Sequence, residues 1–199
     1  LAAIDAREVA EAGIVVEQHV AAVTTYSFGQ VEVDGLVASY CGTQQTTRNR
    51  HGHEVYGGST LDVVRGGFDV LLGEDLRADA RNAVDLANRY DRAARACYEG
   101  LFASRRNYDV AIGADATGAR RAGVLEQSWR IGGASGAEIL ALDALHRDAA
   151  RMRISCATVE VYDHRCAVPA DAFVYFRDDD AGAGPAIKYA VELDDADAG

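Results

Sequence analysis

The residues whose types and spacing could do chemistry fall in two stretches, Arg105 to Ile112 and Val124 to Ile131. Side chains alternate faces along a strand. Read as strands, the first places Arg105, Asn107 and Asp109 on one face and Tyr108, Val110 and Ile112 on the other. The second places Glu126, Ser128 and Arg130 on one face, opposite Leu125, Trp129 and Ile131. A turn centred on Thr117-Gly118 sets Asp109 directly across from Glu126. Like charges so placed repel, with β-carbons about 5 Å apart, so a divalent cation, a shared proton or a nearby arginine must relieve them. Hard carboxylate oxygens select magnesium or manganese in a nucleotide site. An exposed hairpin with solvated carboxylates is the competing reading of the same pattern.

Other chemical residues carry weaker signals. His51-Gly52-His53-Glu54 sits in a polar stretch without a third spaced ligand, so solvated histidines are expected. Arg48, His51, Arg65 and the Gly57-Gly58 turn could line an anionic substrate pocket. His146 falls on the apolar side of a helix, as a core or rim residue. Gly132 to Gly136 enters a helix, where backbone amides can meet an anion, although a plain tight turn fits equally well. Gly29, Gly66 and Gly67 form no GxGxxG before a helix.

The elements that must position these residues are mixed. Residues 2–12 read as a short helix ended by Gly13, and Ile14 to Glu17 as a brief buried strand. Thr24 to Val33 and Leu36 to Gln44 form a hairpin about Asp34-Gly35. Residues 44–60 are polar and glycine-bearing and read as a long loop, continued irregularly by Arg65-Gly66-Gly67. Helical spacing is clearest from Asp79 to Cys97 and from Gly136 to about Arg151. A strand follows from Leu101, and Cys156 to Tyr162, Ala172 to Phe176 and Ile187 to Val191 supply three more. The expected fold is α+β, a mostly antiparallel sheet with packed helices, in one domain spanning residues 1–199.

Composition excludes several classes. The 199 residues are 49% hydrophobic and 26% charged, ordinary globular values. A formal charge of -11 repels phosphate backbones, so nucleic acid is not expected as a partner. No apolar run reaches the length of a membrane helix, and no signal peptide opens the chain, which favours a cytoplasmic protein. Asp178-Asp179-Asp180 and the stretch from Glu192 to Asp197 read as solvated loop and tail. Cys41, Cys97, Cys156 and Cys166 form no CxxC pair and are expected as reduced thiols. Leu1 opens inside an amphipathic pattern, so preceding sequence is expected to be missing.

Glu126-Gln127-Ser128-Trp129-Arg130-Ile131-Gly132-Gly133 resembles the ATP-grasp signature Glu-x-Asn-x-Arg-x-Gly-Gly, preceded by a strand bearing an acid, here Asp109. The resemblance implies the C-terminal portion of an ATP-dependent carboxylate ligase of the carboxylate-amine or carboxylate-thiol type, with ATP and Mg2+ as cofactors. It implies Asp109, Glu126 and Ser128 as metal ligands, and Arg130 and Arg106 as the residues that stabilise charge on the transferring phosphoryl group or acyl phosphate. Its partners would be a small-molecule carboxylate and a nucleophile, with homo-oligomerisation left open. Ser128 stands where the signature has asparagine, which keeps a degenerate ATP-grasp-like binding or scaffold domain as the alternative. Val15-Val16-Glu17-Gln18-His19-Val20 resembles the superfamily's hinge, which would place Glu17, Gln18, His19 and Val20 beside the adenine. The lysines that grip phosphate in that superfamily precede the hinge, and Lys188 does not match them. The run from Thr24-Thr25-Tyr26-Ser27 through Tyr56-Gly57-Gly58-Ser59 to the Gly132 loop is similar to an uncharacterised proteobacterial family, domain of unknown function 3182.

Overall fold

A computed structural model describes residues 6–163, 165–178, 182 and 184–194. Eight strands form one antiparallel sheet: β1 (Ala21–Val33), β2 (Leu36–Arg48), β3 (Glu54–Arg65), β4 (Arg105–Ala114), β5 (Arg120–Ser128), β6 (Arg153–Val161), β7 (Phe173–Arg177) and β8 (Ile187–Glu192). Their spatial order is β5-β4-β1-β2-β3-β6-β8-β7. Among the described residues four helices accompany them: α1 (Ala6–Ala12), α2 (Phe68–Leu72), α3 (Ala78–Cys97) and α4 (Ser135–Arg147). The fold is α+β, as the mixture of periodicities predicts.

The two long helices cover opposite faces at opposite halves of the sheet. On one face α2 and α3 cap β5, β4, β1 and β2 through Phe28, Cys41, Phe68, Leu71, Val84, Tyr108 and Val110. On the other, α4 lies over β2, β3, β6 and β8 and packs on Tyr40, Leu61, Val63, Ile154 and Cys156. Buried positions Ala83, Val84, Ala87 and Asp91 of α3, and Ala137, Ala141 and Leu145 of α4, recur at helical spacing. Burying each large apolar side chain here contributes roughly 1.5–3 kcal/mol. Among the described residues, this diagonal arrangement leaves the α4 face of β4 and β1 without a helix, and polar side chains occupy it.

Turn chemistry fixes the register. Asp34 and Gly35 both take positive φ (49° and 76°), the two-residue turn whose twist suits a hairpin. Polar residues 44–60 are strand rather than loop. Gln44 to Arg48 pairs with Ser59 to Glu54, interrupted by a bulge at Gly57. Asn49 Oδ1 accepts the amides of His51 and His53 and closes the tip. This end of the hairpin projects beyond both helices, so it needs ladder hydrogen bonds and no apolar pattern.

Ile14 to Glu17 is likewise not a buried strand: it is exposed chain leading to β1, with Val15 83% exposed. An apolar run alone does not say whether a neighbour is there to cover it. The helix expected over 2–12 is present from Ala6, residues 2–5 lying outside the described part. Asp179, Asp180, Asp195 and Asp197 of the acidic stretches also lie outside it. Helix α4 ends at Arg147, the expected fourth strand starts at Arg105 rather than Leu101, and α2 carries too few residues to show a period. His146 is exposed at the end of α4 rather than on its packed face. None of the described helices is long and apolar enough to cross a membrane.

Candidate functional site

A cleft of about 680 Å³ opens on the uncovered part of the α4 face, floored by β4, β1 and β2 and closed at one side by the loop entering α4. Asp109, Glu126, Ser128 and Arg130 all line it. Asp109 and Glu126 are register partners on β4 and β5. The route to that pairing has two steps. The tight turn runs from Asp115 to Ala119, so the outer rungs pair Val110 with Val124 and Ile112 with Ala122. A bulge between those rungs and Asp109 then inserts Leu125 and restores the two acids to opposition. Leu125 is left exposed.

The turn owes its shape to Asp115, whose Oδ1 accepts hydrogen bonds from the Thr117 amide and hydroxyl (2.9 and 2.6 Å) and from the Ala119 amide. Those bonds, together with Arg121, lower the Asp115 carboxyl to about 2. Gly118 takes φ 80° in the same turn.

Beneath the cleft lies a buried polar chain. Arg105 clasps Glu138 of α4 through Nε and Nη2 (2.6 and 2.7 Å), with the two side chains only 8% and 3% exposed. Arg105 Nη1 also donates to the carbonyl of Ser128 (2.9 Å) and to that of Arg130, tying the strap that follows β5 to the sheet. Tyr40 Oη lies 2.5 Å from Glu138 and 2.8 Å from the amide of Asn107, whose other end is 3.1 Å from Asp109 Oδ1. Burial, and after it the Glu138 carboxylate, push the Tyr40 phenol well above its ordinary range. Ser27 donates to the same Asp109 oxygen at 3.1 Å, and Gln44 to Ser27.

The glycine loop is backed by aromatic rings: a β-carbon on Gly133 would stand 2.8 Å from Tyr56, and one on Gly136 2.7 Å from Tyr175. Lys188, the only lysine of the chain, closes the far end in an ion pair with Glu160 at 2.7 Å.

The other expected site residues are placed elsewhere. Arg106 points to the opposite face, beneath α3, where it pairs with Asp91 at 3.2 Å, bonds Gln30 at 2.8 Å and lies over Phe68. The period of two forces this, because Arg106 shares the face of Tyr108 while Arg105 shares that of Asp109. Glu17, Gln18, His19 and Val20 do not line the cleft. They run past the turn end of β4, Gln18 touching Asp115 at 3.4 Å, six strand residues or about 20 Å from Asp109. Arg48 lines a separate cleft of about 740 Å³ with Arg50 and Arg165. His51 is exposed at the hairpin tip, and Arg65 grips carbonyls at the end of α4. Sequence reasoning assigned no role to Glu138 or Tyr40, which α4 and β2 bring in from distant positions. Arg105 was legible as a face-mate of Asp109, and its pairing with Glu138 was not.

The donors at the cleft suit a hard cation. Asp109 and Glu126 offer carboxylates, and Ser128 a hydroxyl 3.4 Å from Arg105 Nη1. Among the described residues no three His, Cys, Asp or Glu side chains gather as a cage.

Fold and cleft thus define an α+β domain with an acidic pair facing a glycine loop. Residues 1–190 match the family described as Protein of unknown function (DUF3182), and the chain belongs to that family. No curated protein and no solved structure matches it.

Proposed function

We propose that the cleft binds a magnesium–nucleotide and serves an ATP-dependent carboxylate ligase that acts through an acyl phosphate. The observation carrying this is the register of Asp109 and Glu126, two carboxylates opposed across β4 and β5 in one cleft with Arg130 at its rim. Opposed acids cost stability unless something binds them, and the resemblance of Glu126 to Gly133 to the ATP-grasp signature gives that ligand a chemistry.

ATP would pass its γ-phosphoryl group to a small carboxylate and leave as ADP, and an amine or thiol would attack the acyl carbon of the acyl phosphate, lose its proton and expel phosphate. Asp109, Glu126 and Ser128 would hold the cation, which supplies charge neutralisation on the phosphates. Arg130, whose side chain is 71% exposed, lies 3.8 Å from Glu126 and bonds the Ile131 carbonyl at 3.0 Å, and would turn from these partners onto an anionic intermediate.

The second reading, a binding domain without turnover, is favoured by Ser128 standing where the signature has asparagine, with its hydroxyl 3.4 Å from Arg105 Nη1. Calorimetric titration with ATP separates the two readings from no nucleotide function at all. Binding that requires Mg2+, and that weakens at least tenfold in Glu126→Gln, supports the site, whereas equal binding with and without the metal ends it. Phosphate release with a panel of carboxylates and amines then tells ligase from binder.

A further inference from the structure

The cleft is a trough that runs across the strands, and its charge changes sign from one end to the other. Its floor passes from Asp109 on β4 to its register partner Ser27 on β1, and Gln44 on β2 reaches Ser27 through its side chain. Gln44 pairs in turn with Ser59 on β3, and Ser59 with Thr158 on β6. Two residues on, Glu160 is the register partner of Lys188 on β8. Asp109 and Glu126 thus make one end acidic, the middle offers neutral hydroxyls and an amide, and the other end holds the only lysine of the chain. Strands stand about 4.8 Å apart, so the five steps from β4 to β8 separate the two ends by at most about 24 Å of backbone.

Lys188 and Glu160 are unequally placed. Lys188 Nζ donates to Glu160 Oε1 at 2.7 Å, and the Tyr162 hydroxyl donates to Glu160 Oε2 at 3.3 Å. The carboxylate side chain is 10% exposed and the lysine side chain 30%, its ammonium 5.8 Å from the centre of the Phe176 ring. The acid is therefore the sealed partner, held at both oxygens, and the ammonium is the charge the cleft presents. An ammonium owns three hydrogens. Among the described residues Lys188 makes no second hydrogen bond, which leaves hydrogens for a ligand.

We propose that Lys188 is an anion subsite and that the acid substrate is an elongated dicarboxylate, one carboxylate lying at the Asp109–Glu126 end and the other on Lys188. This rests on the ligase reading for the fate of the first carboxylate, whereas the hold on the second is a matter of binding alone. A lysine suits that task as a compact point charge on a flexible stem. Ser27, Gln44 and Ser59 between the two ends suit a connecting chain that carries hydrogen-bonding groups and no third charge.

The single lysine makes the test specific. With carbon-13 at the lysine ε-position, the full chain gives one lysine side-chain signal in a proton–carbon correlation spectrum. It is titrated with linear dicarboxylates from succinate to dodecanedioate, with monocarboxylates of matching length, and with Mg2+–ATP. One of the longer dicarboxylates should move the signal saturably and bind at least tenfold tighter than its monocarboxylate. Lys188→Met combined with Glu160→Gln, which strands no charge, should abolish that preference, read by calorimetry. Circular dichroism checks the fold of the double variant, and if it does not fold the titration of the wild type decides. Equal affinity for both kinds of acid, or no movement with any acid, overturns the subsite; movement with Mg2+–ATP alone does so by assigning Lys188 to phosphate. A dicarboxylate preference in a protein whose ATP binding ignores Mg2+ leaves Lys188 standing and ends the ligase reading instead.

Discussion

Glu138→Gln is the most informative single perturbation of the scaffold, because it removes one charge and almost no volume from the Arg105 pair. Both partners are nearly sealed from water, joined at 2.6 and 2.7 Å, and Arg105 also fastens the carbonyls of Ser128 and Arg130. Breaking such a pair leaves a buried charge uncompensated, which costs about 3–5 kcal/mol. Native domains are stable by roughly 5–15 kcal/mol, so the loss is at least about a fifth of the total. With a urea dependence of about 2–3 kcal/mol per M, the unfolding midpoint should fall by roughly 1–2 M with the slope unchanged. Arg105→Met should cost a similar amount. The double variant should lose at least about 2 kcal/mol less than the sum of the singles, since the second change no longer strands a charge. A midpoint shift under about 0.3 M in Glu138→Gln, or strict additivity in the double variant, would refute the reasoning; the first outcome would mean the pair is solvated or dispensable.

Further expectations concern separate parts of the molecule. Asp115→Asn tests the β4–β5 turn: the folded carboxyl is lowered to about 2 from 3.8, so its stabilisation is present above pH 4 and lost as pH falls through about 2. The stability difference between wild type and variant should therefore shrink steadily as pH falls from 4 and level off below about 2, and a difference constant with pH would count against that role. Burial pushes the Cys41 and Cys156 thiols up to about 12, whereas Cys97 and Cys166 are exposed. A thiol reagent should label two cysteines at once and the other two only on unfolding, with four fast thiols or a disulfide as the contrary result. Gly58 takes φ 146°, and a β-carbon there would stand 2.0 Å from the carbonyl of Thr158, so Gly58→Ala should destabilise by about 3 kcal/mol or more, as overpacked and strained sites do. Near-native thermal stability in that variant would mean β3 and β6 can part there without cost.

Period and turn chemistry are local, and the sequence alone settled what depends on them. The two long helices, the Asp34-Gly35 hairpin, the polar face of β4 and the opposition of Asp109 to Glu126 were all legible from it. The last held for a reason the sequence did not show: the turn lies away from Thr117-Gly118 by half a residue, and the bulge at Leu125 makes up the difference. Periodicity also sufficed to send Arg106 away from Asp109, a consequence that the resemblance to the ATP-grasp signature obscured.

Tertiary structure decided the rest, because burial and partnership are properties of neighbours. Residues 44–60 became strands since a ladder needs only backbone donors and acceptors once β2 and β3 are aligned, while Ile14 to Val16 stayed exposed since no element among the described residues covers them. Only packing α4 across the face of β2 and β3 brings Glu138 to Arg105 and Tyr40, positions separated by 33 and 98 residues of chain. A charge can remain buried there only because its counter-charge arrives with the helix, and no spacing within one segment encodes that meeting.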